Sequence, residues 1–244
     1  MSDTVPTRRI RVVVPVSTDA WNAPVRDLLE DCKDVNTQID IVSVKGGPKA
    51  IECCYDEVFA AAFFVREAER AEQEGYHGVL DYCFDDPGLR AAKESLDIPV
   101  VGLGEASFHF ASLLGLRFSV ISAGPPDCTL TDVKDLVRLH GFSEKCASVR
   151  SVALPVLELE ATGEKQSERL LGEATKAIEE DGADTVVLGC GCLFGQNEPL
   201  LAMGIPVVVP GIAALKLCED LIDMKLLQSK RAFSVPGRRS GERA

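Results

Sequence analysis

The chain has 244 residues, 46% of them hydrophobic, and a formal net charge of −12. That length suits two compact lobes of ~100–120 residues or one larger domain. The acidic balance argues against nucleic acid or an anionic membrane as the main partner, and leaves a small molecule as the expected ligand. No apolar run is long enough to span a bilayer, and the N-terminus lacks a charged-then-apolar leader pattern, so a cytoplasmic protein is expected. Nine cysteines, an odd count, do not suggest a disulfide framework; most are expected to be small buried hydrophobes.

Met1 to Thr7 is expected to be irregular. Arg9 to Val14 is a β-branched apolar run, as in a strand covered on both faces. Pro15-Val16-Ser17-Thr18 forms the loop at its C-terminal end. Val25 to Lys33 has helical spacing, Ile39 to Val44 reads as a second strand, and Gly46-Gly47-Pro48 as a turn. Tyr55 to Glu74 reads as a long helix. Val79 to Tyr82 is a third strand, ending at Cys83. Asp86 is expected to cap the next helix, with Pro87 at its first position and an end near Leu96. Ile98 to Val101 is a fourth strand, Gly102 to Glu105 a loop, and a helix carries through Leu114.

The order then repeats. Strands are expected at Phe118 to Ile121, Ala147 to Val152, Thr185 to Leu188 and Ile205 to Val209. Helices are expected at Leu130 to Leu139, Glu164 to Glu180 and Ala213 to Met224. Gln228 to Ala244 is expected to fray. Strand and helix alternate, so the fold class is α/β, with parallel sheets and ligands outside the carboxyl ends of their strands.

The repetition is numerical. Cys83 and Cys190 stand 107 positions apart, and the same offset carries Gly75 to Gly182, Ile98-Pro99-Val100-Val101 to Ile205-Pro206-Val207-Val208, Gly104 to Gly211 and Ala106 to Ala213. It also maps Arg11–Val14 onto Phe118–Ile121 and Ile39–Val44 onto Cys146–Ser151. One α/β unit is used twice. Two pseudo-symmetric lobes follow, each a mainly parallel sheet flanked by helices, with the active site in the cleft between them. The expected division is 1–103 plus 210–244 for the first lobe and 104–209 for the second, the last helix returning to the first lobe.

A thiol at the same address in each half points to chemistry. Facing halves bring equivalent strand ends together, so Cys83 and Cys190 would flank one ligand. Two opposed acid/base groups suit proton exchange at a stereocentre: one thiolate removes a proton and the other thiol returns one to the opposite face. A cysteine near its reference pKa of ~8.5 serves both roles, and helix N-termini after each cysteine would favour the thiolate. Asp85 and Asp86 oppose that near Cys83. Pro15, Ser17, Thr18, Phe84, Asp85, Ser122, Gly191 and Cys192 are the expected substrate-binding residues. The Ser17, Thr18 and Ser122 hydroxyls and loop amides would meet developing enolate charge. Cys190 and Cys192 lack a second ligand pair, so a metal site is not expected. His77, His109 and His140 read as structural. Glu105 suits either substrate binding or a helix N-terminus.

These residues resemble the hydantoin racemase branch of the aspartate/glutamate racemase superfamily. The resemblance covers nearly the whole chain. It is carried by Gly47-Pro48, Ile51-Glu52, Tyr55-Asp56-Glu57, Cys83-Phe84-Asp85-Asp86-Pro87-Gly88-Leu89, Pro99-Val100-Val101-Gly102, Gly104-Glu105-Ala106, Arg117-Phe118-Ser119-Val120, Pro155-Val156-Leu157, Leu188-Gly189-Cys190 and Ser229-Lys230-Arg231. It implies a cofactor-independent racemase, Cys83 and Cys190 as its catalytic pair, and a homo-oligomer. Three departures stand at strand ends. Val14-Pro15-Val16 replaces the family's Asn-Pro-Asn, Gly191-Cys192-Leu193 its Ala-Gly-Met, and Pro210-Gly211 its Asp-Gly. All three make the pocket less polar. A 5-substituted hydantoin is the expected substrate. Allantoin, an amino acid, decarboxylation of a malonate-like acid, and a two-lobed binding protein without turnover are the competing readings.

Overall fold

A computed structural model describes residues 8–159 and 163–234 of the chain. The expectations for 1–7 and 235–244 lie outside the described residues. The first half runs β1 (Arg8–Val14), α1 (Asn22–Glu30), β2 (Thr37–Ser43), α2 (Cys54–Gln73), β3 (Gly78–Asp81), α3 (Leu89–Ser95), β4 (Val100–Gly102) and α4 (Leu103–Leu114). The second runs β5 (Phe118–Ser122), α5 (Pro126–Leu139), β6 (Cys146–Ser151), α6 (Gly163–Glu179), β7 (Thr185–Leu188), α7 (Asn197–Leu201), β8 (Val207–Val208) and α8 (Pro210–Asp223). A short 3-10 turn, Val156–Glu158, and α7 were not expected from the sequence.

The strands form two four-stranded parallel sheets, ordered β2-β1-β3-β4 and β6-β5-β7-β8. Their central strands are buried on both faces: Ile10, Val12, Val13, Val79 and Leu80 in one sheet, Val120, Ile121, Val186 and Val187 in the other. Such runs favour parallel sheets flanked by helices. α2 buries Ala60, Phe64, Ala68 and Ala71, one helical stripe, and α6 buries Gln166, Leu170, Ala174 and Ala177 at the same spacing.

The duplication is real, but its offset is not uniform. β3 and β7 start 107 positions apart, at Gly78 and Thr185. Their register partners in the neighbouring strands are Ile10 and Phe118, 108 positions apart. The α2 and α6 stripes start at Ala60 and Gln166, 106 positions apart. Ser122, rather than Ile121, therefore stands at the address of Val14. The ungapped alignment of Arg11–Val14 with Phe118–Ile121 is one residue out of step.

The last helix of each half packs across the cleft. α8 lies on β3, β4 and α1, while α4 lies on β7 and β8, and the two helices pack on each other. A Cβ at Gly78 would come within 2.6 Å of the Cys218 sulfur, so the absence of a side chain there lets α8 approach β3 closely. The expected fraying from Gln228 does not extend to residues 228–230. Gln228 Nε2 donates to the carbonyls of Leu96 and Ile98 (3.1 and 2.9 Å), and Lys230 Nζ donates to those of Lys93 and Leu96.

Candidate active site

Four strand ends, two from each sheet, converge on one narrow cavity of about 60 Å³. β1 supplies Val14, Pro15 and Val16. β3 supplies Tyr82, Cys83, Phe84 and Asp85, β5 supplies Ser122 and Ala123, and β7 supplies Gly189, Cys190, Gly191 and Cys192. Trp21, Ala50, Ile51, Glu52, Thr129, Asp132 and Val156 complete the lining. Among these described residues none is Lys, Arg or His, and most of the surface is apolar. Asp85 and Asp132 also border a wider neighbouring groove of about 1070 Å³.

Cys83 and Cys190 thus line the same cavity, together with Pro15, Phe84, Asp85, Ser122, Gly191 and Cys192. Ser17 and Thr18 do not. Ser17 turns its hydroxyl to the Pro48 carbonyl (3.1 Å), and the Thr18 hydroxyl accepts from the Ala20 N–H (3.3 Å). These local bonds hold the loop. The Ser122 hydroxyl donates to the Gly189 carbonyl at 2.6 Å, tying β5 to the loop before Cys190. Glu105 also lies outside the cavity, ion-paired to Lys93.

Asp86 does not cap α3. The cap position of α3 is Gly88, with φ +83°, and makes no side-chain cap bond. Asp86 instead caps α4: its two oxygens accept from Gly104 N–H (2.9 Å) and Glu105 N–H (2.8 Å), and His140 Nε2 lies 3.2 Å away. A Cβ at Gly102 would sit 2.2 Å from the Asp86 carboxylate, so glycine admits this contact. His140 accordingly has a structural place, as has His77, whose Nδ1 accepts from Arg9 N–H.

The two sulfurs differ electrostatically. Burial pushes the Cys83 thiol well above the usual range, and the Asp85 and Asp81 carboxyls add to this, against one hydrogen bond from the Asp85 N–H. Cys190 is held below the usual thiol range. A hydrogen bond from the Cys192 thiol is the largest cause, it outweighs burial, and the Cys192 N–H adds a second bond at 3.4 Å. Helix N-termini, expected after each cysteine, are not the cause: α3 starts at Leu89, six residues past Cys83, and α7 at Asn197, seven past Cys190. Of the two, Cys190 is thus the stronger acid and Cys83 the weaker.

Sequence reasoning missed five polar residues, four that line the cavity and Asp81 at the end of β3 beside it. Asp81 is fully buried, its two oxygens have no partner among the described residues, and burial raises its carboxyl well above the usual range. The Tyr82 hydroxyl is likewise buried without a partner among them. The Tyr82 ring fills the space between two glycines, since a Cβ at Gly191 would lie 3.1 Å from the ring and one at Gly211 2.5 Å from the hydroxyl. Glu52, matched by the family resemblance but given no role, lines the cavity and accepts from Val156 N–H at 2.6 Å. Thr129 and Asp132 share one face of α5, and nothing in the sequence says which face meets the cleft.

The chain thus has a two-lobed α/β fold with a cysteine at the matched strand end of each sheet, both lining one cavity. The family model described as Asp/Glu/Hydantoin racemase matches residues 10–218, and the chain belongs to that family. It is 34% identical over 230 residues to a hydantoin racemase of Pseudomonas sp. (strain NS671), covering 93% of this chain and 92% of that one. It is also 34% identical to a hydantoin racemase of Paenarthrobacter aurescens, over 91% and 94% of the two chains. Among solved structures, the allantoin racemase from Klebsiella pneumoniae superposes with a TM-score of 0.90 at 30% identity, covering 97% of each chain. That from Pseudomonas fluorescens gives 0.88 at 29%, covering 96% of this chain and 99% of the other. The fold is that of the racemases, and the chain is an isomerase of the racemase type.

Proposed function

We propose that the protein racemises 5-substituted hydantoins by two-base proton transfer between Cys190 and Cys83, without a cofactor. The observation that carries this is the single cavity reached by both cysteines, one favoured as thiolate and the other as thiol. In one direction Cys190 takes the Cα proton while Cys83 delivers its own to the opposite face. The reverse direction starts from the opposite protonation states. The Thr129 hydroxyl and the loop amides after β5 line the same space and supply donors for the developing enolate oxygen.

Val14, Val16, Trp21, Ile51 and Val156 make the walls apolar. This favours alkyl or aryl 5-substituents over a ureido group, so allantoin is the poorer substrate on this account. The lobes divide at 1–103 plus 210–244 and 104–209, a division supported by the crossing of α4 and α8. Tyr55, Val58 and Phe59 expose apolar surface on one stretch of α2, which supports a homo-oligomer, and the setting is the cytoplasm.

The test is polarimetry on enantiomerically pure 5-alkyl-, 5-aryl- and 5-ureidohydantoins. The wild type should racemise the first two fastest. Cys83→Ser and Cys190→Ser should each abolish racemisation, and Cys192→Ser should retain most of it. Full activity in either single catalytic variant would remove the proposal.

A further inference from the structure

We propose that Glu52 is a substrate-binding residue: its side chain accepts a hydrogen bond from a ring N–H of the bound hydantoin and so selects cyclic ureides. This rests on the hydantoin reading above and adds to it the group that recognises the ring.

The acceptors that such a ring needs are scarce in this cavity. A hydantoin ring carries two N–H donors besides its carbonyl oxygens, and a donor buried without an acceptor weakens binding. Val14, Val16, Trp21 and Ile51 present buried, mainly apolar side chains to the space. Among the described lining residues the carboxyls are Glu52, Asp85 and Asp132. Asp85 and Asp132 also border the wider groove, whereas Glu52 does not. Burial pushes the Asp85 and Asp132 carboxyls up, which favours their neutral forms. Glu52 is the carboxyl that belongs to the cavity alone.

Its position is fixed from both ends. Glu52 N–H donates to Asp56 Oδ2 at 3.2 Å, at the start of α2, and the preceding Ile51 is buried in the main core. Val156 N–H, at the first residue of the 3-10 turn after β6, donates to Glu52 Oε1 at 2.6 Å. Among the described residues none donates to the second oxygen, Oε2. One oxygen anchored and the other open is the arrangement of a preorganised acceptor. The carboxylate also lies close enough to Cys190 to disfavour its thiolate by charge. A ring seated with its reacting Cα–H at Cys190 therefore has its edge towards Glu52, and one ring nitrogen is bonded to that carbon.

The experiment is calorimetric binding of racemic 5-isopropylhydantoin and its 1-methyl and 3-methyl derivatives to wild type and Glu52→Gln. The amide keeps the shape and can still accept from Val156 N–H, but its NH2 then meets a ring N–H as donor against donor. Wild type should bind one of the methyl derivatives at least about tenfold more weakly than the parent. Glu52→Gln should bind the parent about tenfold more weakly than wild type does, and should lose most of the discrimination against that derivative. A wild type that binds both methyl derivatives within about twofold of the parent overturns the proposal without any variant. An equal loss for all three ligands in Glu52→Gln also overturns it, because a purely structural role predicts that result. Binding of the parent by Glu52→Gln at wild-type strength does the same. A wild type that binds with the expected selectivity yet leaves the optical rotation of a pure enantiomer unchanged would sink the racemase reading and leave this assignment standing.

Discussion

Asp81 is the residue whose replacement should strengthen the fold. Its side chain is fully buried on the α2 and α3 side of the first sheet, beside Val79 and Val13, and its oxygens have no hydrogen-bond partner among the described residues. A buried polar group in that state costs about 1–3 kcal/mol. Leucine fits the position: Ile121 pairs with Leu188 in β5 and β7 as Val13 pairs with Asp81 in β1 and β3. Asp81→Leu should therefore stabilise by about 1–3 kcal/mol near neutral pH. The gain should depend on pH. The folded-state pKa of Asp81 is raised, so the folded protein binds this proton more tightly than the unfolded chain. The stabilisation from that proton is present below the unfolded value of about 3.9 and is lost as pH rises through the folded value. Wild type should fall relative to the variant by up to about 1.4 kcal/mol per pH unit in that window. Urea unfolding of wild type, Asp81→Leu and Asp81→Asn at pH 5 and pH 7 tests this. Both variants should gain on wild type between the two pH values. A leucine variant less stable than wild type at both, or a pH-independent difference, would refute the reasoning.

Three further outcomes follow from the site. Because Cys190 is held below the usual thiol range and Cys83 above it, kcat/KM in the direction that starts from the Cys190 thiolate should plateau across neutral pH. Its acid limb should lie below, and its alkaline limb above, the ordinary thiol value; a narrow bell centred on that value would contradict the assignment. Gly211→Ala should cost about 1–3 kcal/mol of stability because the new methyl meets the Tyr82 hydroxyl, and Tyr82→Phe in the same chain should recover part of it in urea melts. Asp86→Ala should cost about 1–2 kcal/mol by uncapping α4, while Asp86→Asn, which still accepts hydrogen bonds, should cost less.

The architecture was legible because alternation and duplication both leave marks in the residues. Val79 to Tyr82 and Val186 to Leu188 are apolar or aromatic runs broken only by Asp81, and each ends one or two residues before a cysteine. What failed were inferences that treated sequence neighbours as spatial partners. Asp86-Pro87 carries the local signature of a helix start, yet the carboxylate caps a helix 17 residues further on, because the β3 and β4 ends lie side by side. The serine and threonine of the β1 loop suggested substrate contacts, but short side chains with nearby backbone acceptors and donors bond locally first. The fixed offset of 107 concealed small slips of one residue in either direction, and strand register alone reveals that Ser122 matches Val14. Asp81 was hidden inside a strand-like run, where periodicity says that a residue is buried and not whether its polar group finds a partner.

The most direct measurement of the central claim is the early fate of hydrogen at Cα in heavy water. An enantiomerically pure 5-substituted hydantoin is incubated with the protein, and both enantiomers are separated and weighed by mass spectrometry before equilibrium. If two sulfurs serve opposite faces, the newly formed enantiomer carries solvent deuterium while the remaining starting enantiomer stays largely unlabelled, from either starting hand. A product that keeps the substrate's own hydrogen would show a single group working both faces and would contradict the account.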